Sequence, residues 1–375
     1  MIRKKFQDLE LPALGMGCMR LPVCGGSGEI DIGTVERMTA YAMDHGVNYF
    51  DTAWFYHGGQ SEPVMGRVLS AWPRESFYLA TKFPGADPKL FADVRDIFCR
   101  QLQRLQTDHF DFYLFHNVNE NSIGRFLDPA NGLVPCLLEQ KREGRIRHLG
   151  FSTHGSLETM RRFLDALGPE LEFCQIQLNW LDWTFQDAKA KVELLKEYGL
   201  PVWVMEPVRG GRLAVLPEDA AARLGAMRPG TGAPEWAFRF LQSIPEVTVT
   251  LSGMSDLGQL KENIATFEEE RLLTPAEWDG LQAVAEELIR KNLIPCTGCR
   301  YCMENCPKQI GIPELLHMYN DHFLTGGAPI SERFLAGIPA ERRPGACLHC
   351  RSCEAACPQD IAISDIMADF AEKIV

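Results

Sequence analysis

The amino-acid sequence predicts an α/β fold: a (β/α)8 barrel of the TIM type, followed by a small cysteine-rich domain. Three observations favour this architecture. Short apolar runs alternate with amphipathic stretches from about residue 10 to residue 268, as is typical of parallel strands joined by crossover helices. Eight such units fit into this span, which is close to the usual barrel length of about 250 residues. Eight of the 13 cysteines then fall into two short clusters near the C-terminus.

The eight predicted strands are the apolar runs, and the stretches between them show helical spacing. The strands are predicted at residues 14–19, 47–51, 77–82, 110–116, 146–152, 173–177, 202–205 and 247–252. Helical spacing is clearest at residues 34–45, 94–105 and 188–198. An open doubly wound sheet is the rival, but it normally carries G-x-G-x-x-G after its first strand. The first strand here continues into Arg20-Leu21-Pro22 instead, which favours the barrel.

The end of the barrel is followed by one more helical pattern, at residues 275–291, before the cysteines begin. We therefore predict three parts: a barrel at 1–270, a connecting helix at 271–293, and a small α+β domain at 294–375.

Charge and hydropathy exclude several classes of protein. The formal net charge of −12 and the lack of any Lys/Arg run argue against nucleic acid and anionic membranes as partners, because both bind basic surfaces. Polar residues interrupt the N-terminus before a signal-peptide core forms. No uncharged apolar run approaches the roughly 18 residues of a membrane-spanning helix. We expect a soluble, cytoplasmic protein.

The pattern C-x-x-C-x-x-C-x-x-x-C-P occurs twice near the C-terminus. Three thiolates at this spacing hold one 4Fe-4S cluster, and the fourth reaches the neighbouring cluster. The pattern therefore predicts two 4Fe-4S clusters with crossed ligation in a ferredoxin-like domain. Cluster 1 is assigned to Cys296, Cys299, Cys302 and Cys357. Cluster 2 is assigned to Cys347, Cys350, Cys353 and Cys306.

Zinc and disulfides are the alternatives for these cysteines. Zinc favours paired C-x-x-C knuckles over a four-cysteine run that ends in proline, and disulfides fit neither the spacing nor a reducing compartment. Residues 307–346 form an insertion between the motifs. Most of the five remaining cysteines are interpreted as small buried apolar residues.

Polar residues follow several of the predicted strands, at the face where (β/α)8 barrels place their chemistry. Asp51 and Tyr56 follow strand 2, Lys82 ends strand 3, and His116 ends strand 4. We expect these four side chains to converge. Taken singly, each also has an ordinary structural explanation, such as a loop cap or a satisfied core histidine.

The residues around these positions form distinctive motifs: F-D-T-A-W-F-Y at 50–56, T-K at 81–82 and L-F-H at 114–116. Through them the sequence resembles the aldo-keto reductases over about residues 8–268, and more closely the branch with a ferredoxin-like tail. The resemblance implies an oxidoreductase whose catalytic tetrad is Asp51, Tyr56, Lys82 and His116. Carbonyl reduction needs a proton donor near the developing oxyanion, and Tyr56 is our candidate. Lys82 would stabilise the phenolate, Asp51 would keep Lys82 charged, and His116 would orient the substrate carbonyl or relay the proton.

Further strand ends suit a cofactor pocket at the same face. The candidate residues are Met19, Arg20, Ser152, Gln175, Glu206, Val208, Arg209, Gly210, Ser252, Gly253 and Asn263. The resemblance implies that Ser152 and Gln175 hold a nicotinamide carboxamide and that Asn263 lies near the adenine. Several positions depart from the family pattern: Thr153 replaces an Asn, Met205 replaces an aromatic residue, and Gly253 and Gln259 replace the basic pair that reads a 2′-phosphate. The cofactor is therefore left open between NAD(P)H and FMN, the latter in the phosphate site after strands 7 and 8.

Three functional hypotheses follow. In the first, the barrel performs proton-coupled redox chemistry on a carbonyl, alcohol or related small molecule and exchanges electrons through the two clusters, with a redox partner such as ferredoxin. In the second, the protein is an ordinary NAD(P)H-dependent carbonyl reductase whose clusters are structural. In the third, a degenerate barrel is the scaffold of an electron carrier, which the retention of all four tetrad residues disfavours.

Overall fold

The chain divides into two compact units, Met1–Trp278 and Asp279–Val375. The computed structural model describes residues 1–25, 28–85, 87–294, 296, 300–325, 335, 337–357 and 359–373. Within this part of the chain, no helix is long and apolar enough to cross a membrane.

The first unit is a closed barrel of eight parallel strands, which confirms the predicted (β/α)8 fold. Its strands are β3 (Leu14–Gly17), β4 (Tyr49–Asp51), β5 (Tyr78–Phe83), β6 (Phe110–Val118), β7 (Ile146–Thr153), β8 (Phe173–Gln177), β9 (Val202–Met205) and β10 (Val247–Ser252). All eight predicted strands are present, with ends displaced by at most two residues. The strands pair in chain order, and β10 pairs with β3 to close the barrel.

Helices cover the outside of the barrel. They are α1 (Ile32–Asp44), α2 (Ser61–Leu69), α3 (Val94–Arg104), α4 (Ile123–Phe126), α5 (Leu133–Arg142), α6 (Leu157–Leu167), α7 (Asp182–Phe185), α8 (Ala188–Glu197), α9 (Glu218–Met227), α10 (Ala233–Gln242) and α11 (Leu257–Thr266). The three predicted helices correspond to α1, α3 and α8, with ends displaced by one or two residues. The N-terminus of α1 is capped by Asp31, whose side chain accepts a hydrogen bond from the Thr34 main-chain nitrogen.

The amino end of the barrel is closed by a hairpin of β1 (Arg3–Phe6) and β2 (Leu9–Pro12). Phe6 is buried and its ring lies 5.1 Å from the Trp203 ring, in the aromatic cluster that fills the barrel interior. The patterns above do not predict this hairpin, because Arg3-Lys4-Lys5 is a charged sequence and only Phe6 of β1 is buried.

The second unit has its own apolar core, which includes Leu315, Leu316, Met367 and Phe370. The regular elements described in the C-terminal part of the chain are helices. They are α12 (Pro275–Asn292), α13 (Tyr301–Glu304), α14 (Ile312–Thr325), α15 (Ser352–Ala355) and α16 (Ile363–Lys373).

Candidate active site and cluster sites

Asp51, Lys82 and His116 lie at inward-facing positions near the carboxyl ends of strands β4, β5 and β6. Side chains alternate in direction along a strand, so each lies two residues beyond an apolar residue that faces the same interior. The residues below them are Tyr49, Ala80 and Leu114, which are all buried. The three polar side chains therefore lie directly above a layer of apolar side chains at the carboxyl end of the barrel.

Lys82 and Asp51 form a buried ion pair. The Lys82 Nζ lies 2.5 Å from Asp51 Oδ1 and donates a second hydrogen bond to the Thr52 carbonyl oxygen at 2.8 Å. Burial alone would lower the pKa of Lys82, but the negative charge of Asp51 and the neighbouring Tyr56 outweigh it and raise that pKa. Lys82 therefore carries a positive charge at neutral pH although almost none of its surface is exposed.

Tyr56 begins the tight turn that follows β4. The turn passes through left-handed backbone at His57 and Gly58, and His57 Nε2 accepts a hydrogen bond from the Leu21 main-chain nitrogen at 3.0 Å. The Lys82 ammonium lies 5.2 Å from the centre of the Tyr56 ring. Burial raises the pKa of Tyr56, and Lys82 lowers it by a smaller amount. The phenol is therefore protonated at neutral pH, as a proton donor requires.

His116 completes this cluster, with its ring centre 5.9 Å from that of Tyr56 and nearly perpendicular to it. Burial and the positive charge of Lys82 lower the pKa of His116 to about 3. The imidazole is therefore neutral at physiological pH and can donate a hydrogen bond to a carbonyl oxygen without carrying a charge. The four tetrad side chains expected from the sequence thus lie side by side in the structure.

Ser152 and Gln175 lie opposite each other on the neighbouring strands β7 and β8. The Gln175 Oε1 atom is buried and has no hydrogen-bond partner among the described residues. The Ser152 hydroxyl oxygen accepts a hydrogen bond from the Asn117 main-chain nitrogen at 2.9 Å, which leaves its own proton available. A buried amide oxygen without a partner beside a hydroxyl group suits the carboxamide of a nicotinamide, which both donates and accepts hydrogen bonds.

Arg20 crosses from the end of β3 to the loops after β9 and β10. Its Nη2 atom lies 3.1 Å from Glu206 Oε1. A Cβ atom on Gly253 would lie 3.2 Å from the Arg20 stem, and one on Gly210 would lie 2.9 Å from Nη2. Because neither glycine has a side chain, the Arg20 side chain can extend past both of them to reach Glu206. Met19, which precedes it, is exposed.

The other candidate cofactor residues lie near the ends of β9 and β10 in separate pairs. The Asn263 side chain donates to the Ser252 hydroxyl at 3.1 Å, and both residues are buried. Arg209 Nε lies 3.1 Å from Asp182 Oδ1, and this ion pair is also buried. Val208 is half-buried beside it. Arg209 therefore has a carboxylate partner that the sequence analysis did not identify.

Glu62 and Arg104 are two further residues near the tetrad that the sequence analysis missed. Glu62 is fully buried and lies 3.1 Å from Arg104 Nε. A signal for Glu62 was present, because it shares the helical spacing i, i+3, i+4, i+7 with Met65, Gly66 and Leu69 on the inner face of α2. No comparable signal identifies Arg104, the last residue of α3.

The motif cysteines of the second unit line two pockets. One pocket contains the cluster 2 cysteines, which are Cys306, Cys347, Cys350 and Cys353. The other contains the three described members of cluster 1, which are Cys296, Cys302 and Cys357. Cys299 lies outside the described residues. Each pocket thus combines cysteines from both motifs, and their thiolates suit the 4Fe-4S clusters expected from the spacing.

Of the cysteines outside the motifs, Cys18, Cys136 and Cys174 are buried and Cys24 is exposed. Cys18 lies close to the Lys82–Asp51 pair, and burial strongly raises its pKa. Its thiol is therefore protonated and unreactive at neutral pH.

The chain was compared with known families, proteins and structures. It matches the aldo/keto reductase family over residues 13–286 and a 4Fe-4S dicluster domain over residues 295–362. Probable aldo-keto reductase 1 from Glycine max is 29% identical over 218 residues, which span 55% of this chain and only 58% of that protein. L-galactose dehydrogenase from Arabidopsis thaliana is 29% identical over 287 residues, which span 70% of this chain and 86% of that enzyme. The holo form of aldo-keto reductase AKR11C1 from Bacillus halodurans superposes with a TM-score of 0.63 at 25% identity, covering 76% of this chain and 96% of that one.

These comparisons agree with the fold described above. The first match covers the barrel, including the strands that bear the four polar side chains. The second match covers the segment that contains both cysteine motifs. The chain therefore belongs to the aldo/keto reductase family and is an oxidoreductase with a C-terminal 4Fe-4S dicluster domain.

Proposed function

We propose that the barrel reduces a carbonyl group, or oxidises the corresponding alcohol, with Tyr56 as the group that donates or accepts the proton. The observation that carries this proposal is the buried Lys82–Asp51 pair beside the Tyr56 phenol, with neutral His116 facing it. A carbonyl oxygen placed between Tyr56 and His116 receives two hydrogen-bond donors. Both donors are held before the reaction begins, which stabilises the oxyanion as it develops.

Each residue has a distinct role in this proposal. Tyr56 gives its proton to the oxygen, and the nearby ammonium of Lys82 stabilises the phenolate that remains. Asp51 keeps Lys82 charged in a site with little water. His116 orients the carbonyl and carries no charge of its own, because its pKa is far below neutrality.

NAD(P)H is the proposed source of electrons, since the Ser152 hydroxyl and the unpaired Gln175 oxygen would hold its carboxamide. FMN is the alternative, in the phosphate site after strands 7 and 8 of the barrel, near Arg209, Gly210 and Ser252. When bound, either group supplies or accepts the electron pair of the reaction.

Two 4Fe-4S clusters are proposed for the second unit, held by the cysteines of the two pockets together with Cys299. Each cluster passes one electron at a time, whereas a nicotinamide transfers two as hydride. Electron exchange between the substrate and the clusters therefore needs an adaptor that accepts two electrons and passes them on singly, such as a flavin, and the clusters then exchange electrons with a redox partner such as ferredoxin. In the alternative, a nicotinamide bound at Ser152 and Gln175 acts alone and the clusters are only structural.

Anaerobic stopped-flow absorbance tests this proposal. The protein is mixed with NADH or NADPH and 4-nitrobenzaldehyde as the carbonyl probe, and nucleotide oxidation and cluster absorbance are followed together. We expect nucleotide oxidation in the wild type and a rate about 10²- to 10⁴-fold lower in Tyr56→Phe. Bleaching of the clusters during turnover supports electron exchange, whereas constant cluster absorbance with full turnover supports structural clusters. Equal rates in the wild type and Tyr56→Phe would contradict the proposed role of Tyr56.

A further inference from the structure

The carboxylate of Glu62 lies outside the strand that bears Lys82 and contacts that strand directly. Its Oε1 atom accepts hydrogen bonds from the Thr81 hydroxyl and from Gln101 Nε2, both at 2.7 Å. Thr81 precedes Lys82 and faces away from the barrel interior, because side chains alternate along β5. Glu62 therefore fixes β5 from the side opposite to the tetrad.

Gln101 extends this contact to Lys82 itself. Its Nε2 atom donates to the Lys82 carbonyl oxygen at 3.0 Å, and its Oε1 atom accepts from the Tyr113 hydroxyl at 2.6 Å. All of these residues are buried. The Lys82 carbonyl oxygen is thus bonded to Gln101. The side-chain amide of Gln101 is itself oriented by hydrogen bonds at both its nitrogen and its oxygen.

Arg104 connects the same carboxylate to the turn that bears Tyr56. Its Nε atom lies 3.1 Å from Glu62 Oε2, and its guanidinium carbon lies 4.3 Å from the centre of the Trp54 ring. Its Nη2 atom donates to the Gly59 carbonyl oxygen. Trp54 and Gly59 flank the turn on either side of Tyr56, so Arg104 holds both of its ends.

The helices that bear Glu62 and Arg104, α2 and α3, approach each other closely. Gly66 lies one turn after Glu62 in α2, and a Cβ atom at Gly66 would lie 2.3 Å from the Arg104 carbonyl oxygen at the end of α3. Because only glycine permits this approach, the main chains of α2 and α3 lie in direct contact beside the Glu62–Arg104 pair.

We propose that Glu62 and Arg104 are positioning residues whose ion pair sets the separation between the Tyr56 phenol and the Lys82 ammonium. Glu62 acts through Thr81 and Gln101 on β5, and Arg104 acts on the turn of Tyr56. The inference rests on the proposed function, in which Tyr56 exchanges the proton.

The separation matters because Lys82 opposes the effect of burial on Tyr56. The other groups that face Tyr56 are Asp51 on β4, the Cys18 thiol after β3 and the neutral ring of His116 on β6. At an effective dielectric constant of about 20, an increase from about 5 to about 6 Å in the distance between the two charges raises the phenol pKa by about 0.4 unit, and the same increase from a shorter distance raises it more. Loss of the ion pair should therefore raise the pKa of Tyr56.

The test measures this pKa directly in the cluster-loaded protein. 3-Fluorotyrosine is introduced at position 56, and its ¹⁹F resonance is titrated with pH in the wild type, Glu62→Gln and Arg104→Met. Arg74→Met is the matched control, because Arg74 also forms a partly buried ion pair, at 2.7 Å with Asp111, but at the opposite end of the strands. We expect the phenol pKa to rise by about 0.4 unit or more in the first two variants and to stay unchanged in the control.

Activity gives a second readout with 4-nitrobenzaldehyde and NADH or NADPH. We expect kcat to fall by about 10- to 100-fold in Glu62→Gln and Arg104→Met, with little change in KM. An unchanged phenol pKa in both variants, or an equal shift in Arg74→Met, would overturn the inference. If Arg104→Met does not fold, the isosteric Glu62→Gln decides alone by the same criterion. A shifted pKa in a protein without carbonyl reductase activity would instead reject the proposed function and retain the positioning role.

Discussion

The Lys82 ammonium lies 2.5 Å from Asp51 Oδ1, and each side chain has less than 5% of its surface exposed. Two opposite charges at this distance in a buried site depend on one another. Removal of either leaves the other buried without a partner, which typically costs about 3–5 kcal/mol.

We therefore expect Lys82→Met and Asp51→Asn each to lower the free energy of unfolding of the barrel by about 3–5 kcal/mol. The double variant should lose less than the sum, because it leaves no unpaired charge. Urea denaturation followed by tryptophan fluorescence measures this. Lys189→Met is the control, since its pair with Glu193 is exposed and should contribute less than about 1 kcal/mol. Additive losses in the double variant would show that the two charges do not stabilise each other.

Tyr56→Phe should lower the rate of carbonyl reduction by about 10²- to 10⁴-fold, because one proton donor is lost and almost no volume changes. Steady-state kinetics with 4-nitrobenzaldehyde checks this. Tyr198→Phe removes a phenol that bonds to Asp165 on the helical layer, and its rate should equal that of the wild type. A loss smaller than about threefold in Tyr56→Phe would mean that another group supplies the proton.

His116 should make the protein less stable as the pH falls. Its pKa is about 3 in the folded protein and about 6.5 when the chain is unfolded. Between these values the unfolded state binds a proton that the folded state does not, so stability decreases from about pH 6.5 downwards and stops decreasing below about pH 3.

The test compares urea midpoints at pH 7 and pH 5. We expect the wild type to lose more stability over this interval than His116→Asn, which has no imidazole to protonate. His45→Asn, at an exposed histidine, is the control and should behave as the wild type does. Equal losses in the wild type and His116→Asn would show that His116 titrates normally in the folded protein.

Crossed ligation can be tested by comparing pairs of cysteine variants. The wild type should contain about eight iron and eight sulfide per chain. Because Cys296 and Cys357 line the same pocket, Cys296→Ala and Cys357→Ala should leave the same remaining cluster and give matching electron paramagnetic resonance spectra. Cys347→Ala and Cys306→Ala should give the other spectrum, and Cys24→Ala should resemble the wild type. A Cys357→Ala spectrum that matches Cys347→Ala would mean that each motif binds its own cluster.

The protein should discriminate weakly between NADH and NADPH, or contain a bound flavin. Gly253 and Gln259 carry no charge for a 2′-phosphate, and the Gln259 side chain already accepts a hydrogen bond from the Ser255 main-chain nitrogen at 2.9 Å. Both nearby cations have carboxylate partners, Arg20 with Glu206 and Arg209 with Asp182. Each missing charge-assisted contact is worth about 1.5–3 kcal/mol of discrimination.

Calorimetric titration of flavin-free protein with both nucleotides checks this, together with extraction of any bound flavin. Arg20→Met is a useful companion variant, since it should alter the two nucleotide affinities equally if Arg20 does not read the 2′-phosphate. NADPH affinity a hundredfold above that of NADH, without any flavin, would contradict the prediction.

The strands of the barrel could be predicted because a buried parallel strand is an apolar run with polar residues at its end. Those strand ends predicted that Asp51, Lys82 and His116 converge, whereas their interpretation as a catalytic tetrad with Tyr56 came from the resemblance to the aldo-keto reductases. Glu62 could not be found in this way, because it lies on a helix and not at the end of a strand; its signal was its place among the apolar residues on the inner face of α2. Its role depends on Arg104, Thr81 and Gln101, which lie on other elements and meet it only after folding. The hairpin of β1 and β2 was missed for a related reason. Its Phe6 is buried only because it packs against the barrel interior, which forms from strands far along the chain.

The pairing of β10 with β3 also sets the order in which this protein can be completed during synthesis. The first barrel strand has no partner on one side until residues 247–252 have left the ribosome. A shorter nascent chain exposes two open strand edges, which invite aggregation. The cysteine motifs begin more than 40 residues later, so the barrel can close before any thiolate of the second unit is available. The iron–sulfur domain is thus assembled later, on a chain whose barrel can already be folded.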